Sequence, residues 1–314
     1  MPIKPFRDLF PETDSETKKA LKKDSDIIRE VFNAGCGFFK GCYEAGGSNI
    51  ETLISLLHFY HGLAILDAIS VLVGVGIFEP TKILLRGLLE TTFSSKYMLQ
   101  NDTKTRAWSF LLCAEHKEIE WLKKTDPNST QGATFIQRLQ KDKTLNHFRL
   151  PQVPDLQKKL DEFDKRFNSA EFQHIEKEFQ TVKNLHPKKK ALPEWYTLFS
   201  GRFDPSTNKT TYITSISQLA DAIGCSALYE VCYRYYSEAV HGSDIIKGKI
   251  VTNEDGSGTM APIRNSQHGN HVVGMTLNLG LLLIETMVNY FIPKDKPIYD
   301  EWYVAEIRPH RGFE

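Results

Sequence analysis

The sequence predicts an all-α, multi-helix bundle with one small β-hairpin between its last two long helices. Three observations point there. Apolar residues recur three and four positions apart through most of the chain. Capping residues, prolines and glycines stand at the ends of these stretches. No internal repeat or low-complexity segment interrupts them. The 314 residues are read as a single helical domain, 1–314. It comprises an N-terminal helix in 1–47, a bundle over 48–292 with a helical and loop insertion at 125–214, and an irregular tail at 293–314.

The elements follow in order. A first helix is expected from about Glu16 to Glu44, ending at Ala45-Gly46-Gly47. Ser48 or Asn49 caps a second, ETLISLLHFYHGLAILDAISVLV, which loosens at Gly74 and Gly76. Pro80 suits the first turn of a third, which stops near Asn101-Asp102. A fourth runs from about Thr103 to Lys124, and Asp126-Pro127-Asn128 ends it. Residues 125–155, polar and proline-broken, hold a short helix in a loop. Asp155 to Asn184 reads as a solvent-facing helix or helical hairpin. The stretch up to Thr214 reads as loop. One continuous helix then opens at Ser215 or Ser217 and ends at Gly242. KGKIVTNEDGSGTMAPIR forms the hairpin around Glu254-Asp255-Gly256. A last helix covers about Gln267 to Phe291, and Trp302 anchors the tail.

Charge narrows the function classes. Lys plus Arg and Asp plus Glu number 39 each, which argues against a polycationic nucleic-acid coat or membrane-surface protein. Five cysteines without a CxxC pair read as reduced thiols in a cytoplasmic protein. The N-terminus lacks the apolar core of a secretory signal. The apolar run Leu63 to Phe78 contains Asp67 and is shorter than the roughly 20 residues of a spanning helix. A buried core helix, and no membrane, is the expectation.

The helix ending at His241 carries the candidate chemistry. Arg234 and His241 are seven positions apart, so they differ by only about 20° around the axis. Glu230 and Glu238 stand four residues either side of Arg234, and Ser237 four before His241. Leu228, Cys232, Tyr235, Tyr236 and Ala239 should pack inward, with Val231 at the margin. The helix dipole favours protonated His241. An Arg offering planar donors to a phosphoryl oxygen, beside a His that moves a proton, has the ingredients of metal-independent RNA cleavage. There the 2′-hydroxyl attacks its own phosphate, and no cofactor is needed.

YRYYSEAVHG resembles the Arg-x4-6-His signature of the HEPN superfamily, in which ribonucleases of toxin and antiviral systems dimerise to bring two motifs together. LLRGLLETTFSSKYML, PEWYTL and the spacing of Tyr233, Ser237 and His241 are similar to an all-helical bacterial family linked to HEPN proteins, over about residues 55–292. The resemblance implies a homodimeric, cytoplasmic endoribonuclease, a toxin or antiviral defence effector. His241 would move the proton, Arg234 would stabilise phosphorane charge, and Ser237 and Glu238 would orient the pair. Tyr235 stands where such enzymes often carry Asn, Asp or His.

Other readings stay open. An Arg flanked by i±4 glutamates also suits an ion-pair ladder, and a C-terminal His a helix cap. The same stripe could then bind a nucleotide or a regulatory protein partner without catalysis. A second stripe, Arg86, Glu90 and Tyr97, holds an i,i+4 pair that needs further polar partners; it would brace the Arg234/His241 helix or line the same cleft. Lys188, Lys189 and Lys190, with Trp195 beyond, could grip RNA by charge and stacking, or could be solvated lysines above buried aromatics. From Ser217 to Lys247 there are four acids and two bases, so RNA is not drawn to the helix by charge alone. His58/His61, His268/His271 and Glu171/His174 do not complete a di-iron pattern, so no metal is assigned. Gly35, Gly37 and Gly41 lack the strand and the Lys-Ser/Thr of a phosphate loop.

Overall fold

The computed structural model describes residues 13–145, 155–185, 191–206, 208–241, 250–252, 256, 258–264 and 269–310, the side chains at 204, 238–241, 251 and 259 excepted. The architecture is all-α, and the chain forms two compact units: residues 1–101 with 216–314, and residues 102–215. The second begins one helix earlier than the insertion read from the sequence at 125–214.

In the first unit, α1 (Ser15–Gly46) starts at Asp14, whose Oδ1 accepts from the Thr17 amide at 2.8 Å. Asn49 does the same for α2 (Ile50–Gly74), accepting from Thr52 N at 2.9 Å. Satisfying an orphan amide in this way is what makes Asp and Asn helix starters. Pro80 lies in the first turn of α3 (Glu79–Gln100), where its missing N–H is not needed. These helices pack with α11 (Gly269–Phe291) around Ile28, Leu66, Leu85, Phe93, Ile284 and Met287, all inaccessible to solvent. Gly35 of the AGCGFFKG run lets α1 approach both neighbours: a Cβ there would lie 2.5 Å from Leu63 Cδ2 and 3.3 Å from Ile284 Cδ1.

By length and composition α2 and α11 are each apolar enough to cross a membrane. Their burial differs: 67 % of the most apolar window of α11 is buried, against 50 % for α2. In the Leu63–Phe78 run, Leu63, Leu66, Ile69, Val73 and Phe78 are buried as expected for a core helix, whereas Val71 and Val75 are exposed.

The continuous helix expected from Ser215 to Gly242 is broken. α8 (Ile216–Ala222) ends at Gly224, whose φ of +69° is the left-handed conformation that terminates helices. The chain then re-enters helix as α9 (Ser226–Leu228), a π-helical turn (Tyr229–Tyr233) and α10 (Arg234–His241). Gly242 lies outside the described residues. The tail is also helical rather than irregular: a 3₁₀ turn (Pro293–Asp295), α12 (Lys296–Trp302), a π turn (Tyr303–Ile307) and a 3₁₀ turn (Arg308–His310). Its prolines open helical turns instead of ending them, which is the position a missing amide tolerates. Trp302 anchors it, donating Nε1–H to Glu30 Oε1 at 2.8 Å.

The expected hairpin is present: β3 (Ile250–Thr252) pairs antiparallel with β4 (Gly258–Met260), Ile250 opposite Met260.

The second unit holds α4 (Thr103–Thr125), α5 (Thr130–Lys141), and a hairpin of α6 (Leu156–Phe167) and α7 (Ala170–Leu185). The charged segment is thus a helical hairpin, and it buries Phe163, Phe172, Ile175 and Phe179. Where a loop was expected, β1 (Arg202–Asp204) pairs with β2 (Lys209–Thr211). Strands of three residues, with β2 exposed throughout, leave no alternation to read. All five cysteines are free; burial pushes the Cys42 and Cys113 thiols up to about 12 and Cys232 up to about 11, far from nucleophilic at neutral pH.

Candidate functional site

The site is built where α10 and the π turn lie against α3. Arg86, on α3, donates from Nε to Glu90 Oε1 at 3.0 Å and from Nη2 to the Tyr233 hydroxyl at 2.8 Å. Its guanidinium also sits 4.7 Å from the centre of the Tyr233 ring, and Tyr229 stacks on that ring at 5.0 Å. Of the two roles expected for the pair, bracing the Arg234/His241 helix or lining the same cleft, the observed contact is one to the π turn just before α10, through a tyrosine 147 positions away. Burial alone would weaken the Arg86 charge, but Glu90 and Tyr233 outweigh it and hold the guanidinium more firmly protonated. Burial and the Glu90 carboxylate raise the Tyr233 phenol, so it stays neutral. Tyr97, further along α3, is buried.

Arg234 faces the other way. Its side chain is 68 % exposed, and Nε meets Glu230 Oε2 at 3.2 Å. A wide π turn immediately precedes it, a feature frequent at functional sites. This turn shifts the following residues around the axis relative to a uniform 100° step, which corrects the inward face read from the sequence. Cys232 and Tyr236 are fully buried as expected, whereas Tyr235 is 46 % exposed and Val231 is exposed. Tyr235 lies under the Lys82 ammonium, 5.3 Å from the ring centre, and meets His271 edge-on. Tyr236 places its hydroxyl 3.2 Å from His271 Nδ1. Ser237 is half-buried on α10. Glu238 and His241 belong to the same helix, but their side chains lie outside the described residues.

Residues 52–257 match a family of unknown function, DUF5677. The chain belongs to that family. The matched span contains all of α2 but its first two residues, α3, the whole second unit and α10, so the DUF5677 region includes both Arg86 and Arg234. No curated protein and no solved structure matches the chain.

Of the second candidate cluster only Trp195 is described. Lys188, Lys189 and Lys190 lie outside the described residues. Trp195 is only 7 % exposed and packs edge-on against Phe110 and Tyr196, a correction to its reading as a stacking platform. Its ring is occupied by the core of the second unit, which leaves no face for a base. Among the described residues no group of His, Cys, Asp or Glu is arranged to hold a metal ion. His58 is instead buried with Nδ1 2.9 Å from Ile54 O, and burial lowers its basicity.

Tyr233 and Lys82 are the participants that sequence reasoning did not assign. The Arg86–Tyr233 contact joins residues 147 positions apart, and no local spacing encodes it. Tyr233 entered only through its spacing from Ser237 and His241, four and eight positions on, with no role attached to it.

Proposed function

We propose that this DUF5677 protein is a metal-independent endoribonuclease of HEPN type, acting as a cytoplasmic homodimer in a toxin or antiviral defence system. The observation that carries this reading is Arg234: a solvent-open guanidinium on a helix whose other side is clamped to α3. In the proposed reaction RNA supplies its own nucleophile, the 2′-hydroxyl. As the 2′-oxygen bonds to phosphorus the P–O5′ bond breaks; His241 transfers the proton from the 2′-hydroxyl to the departing 5′-oxygen, Arg234 takes up charge on the phosphorane oxygens, and Ser237 and Glu238 orient them. The phosphate would displace Glu230 from Arg234, an exchange made cheap by the exposure of both side chains. Arg86, Glu90 and Tyr233 act as positioning groups. Free thiols and the absence of net charge agree with a cytoplasmic protein that meets RNA only in a local cleft.

The test is cleavage of mixed RNA by the purified chain in EDTA. Activity should fall about 10²- to 10⁴-fold in His241→Ala and Arg234→Ala, leaving 2′,3′-cyclic phosphate ends in the wild type. Intact RNA at high protein concentration, or equal cleavage by His241→Ala, overturns the proposal. The pairing of Arg234 with Glu230 and the acid excess of the helix favour a second reading. In it the helix is a non-catalytic module for a nucleotide or regulatory protein partner, and Arg234→Ala abolishes binding with no cleavage to lose.

A further inference from the structure

Tyr235 follows Arg234 directly on α10, and both side chains are open to solvent, whereas the next residue, Tyr236, is fully buried. The Tyr235 ring is exposed yet held. Lys82 Nζ stands 5.3 Å from its centre, and the rings of His271 and Tyr236 meet it edge-on at 5.7 Å and 5.5 Å. Lys82 is only 7 % exposed and is ion-paired to Glu79 at 2.6 Å, so the cation over the ring is anchored on α3. A desolvated ammonium over an aromatic face is the stronger form of this contact. It draws π density toward itself and makes the ring a better partner for an electron-rich, polarisable one. Val231, four positions before Tyr235, is also exposed, so apolar surface runs along α10 and its π turn next to Arg234. One step along an α-helix turns about 100° and rises about 1.5 Å, so the guanidinium and the ring fan out side by side from neighbouring Cα atoms.

We propose that Tyr235 is the stacking platform for an unpaired purine base beside the phosphate that Arg234 holds, so that this face takes single-stranded RNA and discriminates against duplex. This rests on the reading of α10 as an RNA-facing helix and names its substrate class. In a single strand the base and the phosphate diverge from one sugar, which suits a ring and a guanidinium that diverge from consecutive residues. Every base offers a π face, and the fused rings of adenine and guanine cover more of a tyrosine than uracil or cytosine do. A ring fixed beforehand by Lys82, His271 and Tyr236 loses little freedom on binding. Bases in a duplex are already stacked on one another, so the platform has nothing to take there. Stacking also needs no net charge. With Glu230 beside Arg234, attraction for phosphate is partly cancelled, and a charge-independent contact adds most where charge supplies least.

Binding of short 2′-O-methyl oligonucleotides to the full chain tests this, because such strands lack the free 2′-hydroxyl and are not cut. By fluorescence anisotropy an adenine strand should bind more tightly than a uracil strand of equal length, and both more tightly than a duplex. Tyr235→Leu keeps apolar bulk without a π face; it should raise the dissociation constant of the adenine strand by about 5- to 100-fold and leave that of the duplex unchanged. Tyr235→Phe should stay within about twofold of the wild type. Arg234→Ala should lower the salt slope of single-strand binding by about 0.7, and Tyr235→Leu should not change it. A 2-aminopurine base in the strand should be quenched by the wild type and by Tyr235→Phe but not by Tyr235→Leu. No binding of any single strand, equal affinity for adenine and uracil strands, or equal losses for single strand and duplex in Tyr235→Leu overturns the proposal. An unquenched 2-aminopurine with the wild type overturns it without any variant. Cleavage is scored apart: if RNA is cut while Tyr235→Leu binds like the wild type, the platform falls and the nuclease stands. If Tyr235 governs binding and no RNA is cut, the nuclease falls and the platform stands.

Discussion

In the second unit Glu115 is buried with Arg166 against it, and His116 lies flat between Phe167 and Phe179, its Nε2 2.7 Å from Glu176. In the first unit Arg86 joins Glu90 to Tyr233, beside a helix whose Arg234 is open to solvent. Both clusters combine basic side chains with carboxylates, but Arg166 is tied to a buried carboxylate, whereas Arg234 pairs with one that is itself exposed. The rings around His116 and the burial of Glu115 bind the second unit's polar groups to α4, α6 and α7. Charge in a sequence therefore does not distinguish an internal brace from an available site; packing around it does.

The comparison can be broken by mutation, in order of expected loss of stability. Arg166→Ala strands a carboxylate whose Oε2 already has no hydrogen-bond partner, and should cost about 2–3 kcal/mol in urea unfolding; Arg166 is half exposed, which keeps this below the full buried-pair penalty. Replacing both Glu115 and Arg166 by leucine should recover most of that loss. Tyr233→Phe keeps the stack on Tyr229 but removes the acceptor of Arg86, and should cost about 1 kcal/mol by thermal melting. Arg234→Ala should cost under about 0.5 kcal/mol, because its ion pair with Glu230 is exposed. If Arg234→Ala unfolds the chain while Arg166→Ala does not, the assignment of brace and site is reversed.

Acid titration sharpens the contrast within the second unit. Burial raises the Glu115 carboxyl above its usual range despite Arg166, so the folded state holds that proton more tightly than the unfolded chain. Its contribution is full below the ordinary glutamate pKa and is lost as pH rises through the folded value. Burial also pushes Glu176 upward, but hydrogen bonds from His116 and Gln180 outweigh it and the net shift is down. Its contribution is present above the ordinary value and is lost as pH falls through the folded one. Measured against pH, the stability differences of Glu115→Gln and Glu176→Gln from wild type should slope in opposite directions. Parallel slopes would remove the distinction.

Helix ends were legible because caps are local: Asp126 closes α4, and Asn49 and Pro80 open α2 and α3. The break at Gly224 was missed since the apolar period continues across it. The π turn was missed since nothing in YEVCY separates five residues per bond from four. Tyr235 was placed inward, and Trp195 was left between a stacking platform and a buried aromatic, for want of the same information, namely what packs against each side chain. For Arg234 the spacing was readable and the exposure was not.

By itself, the sequence determined an all-α chain, the positions of its long helices, the hairpin after α10 and the neutral charge balance, because periodicity, capping and composition act over a few residues at a time. Only the tertiary structure decided that Arg86 clamps Tyr233, that Arg234 is left open, that Trp195 is buried and that α2 shows an apolar face. Each depends on which surfaces meet across the chain, and long-range packing leaves no local mark.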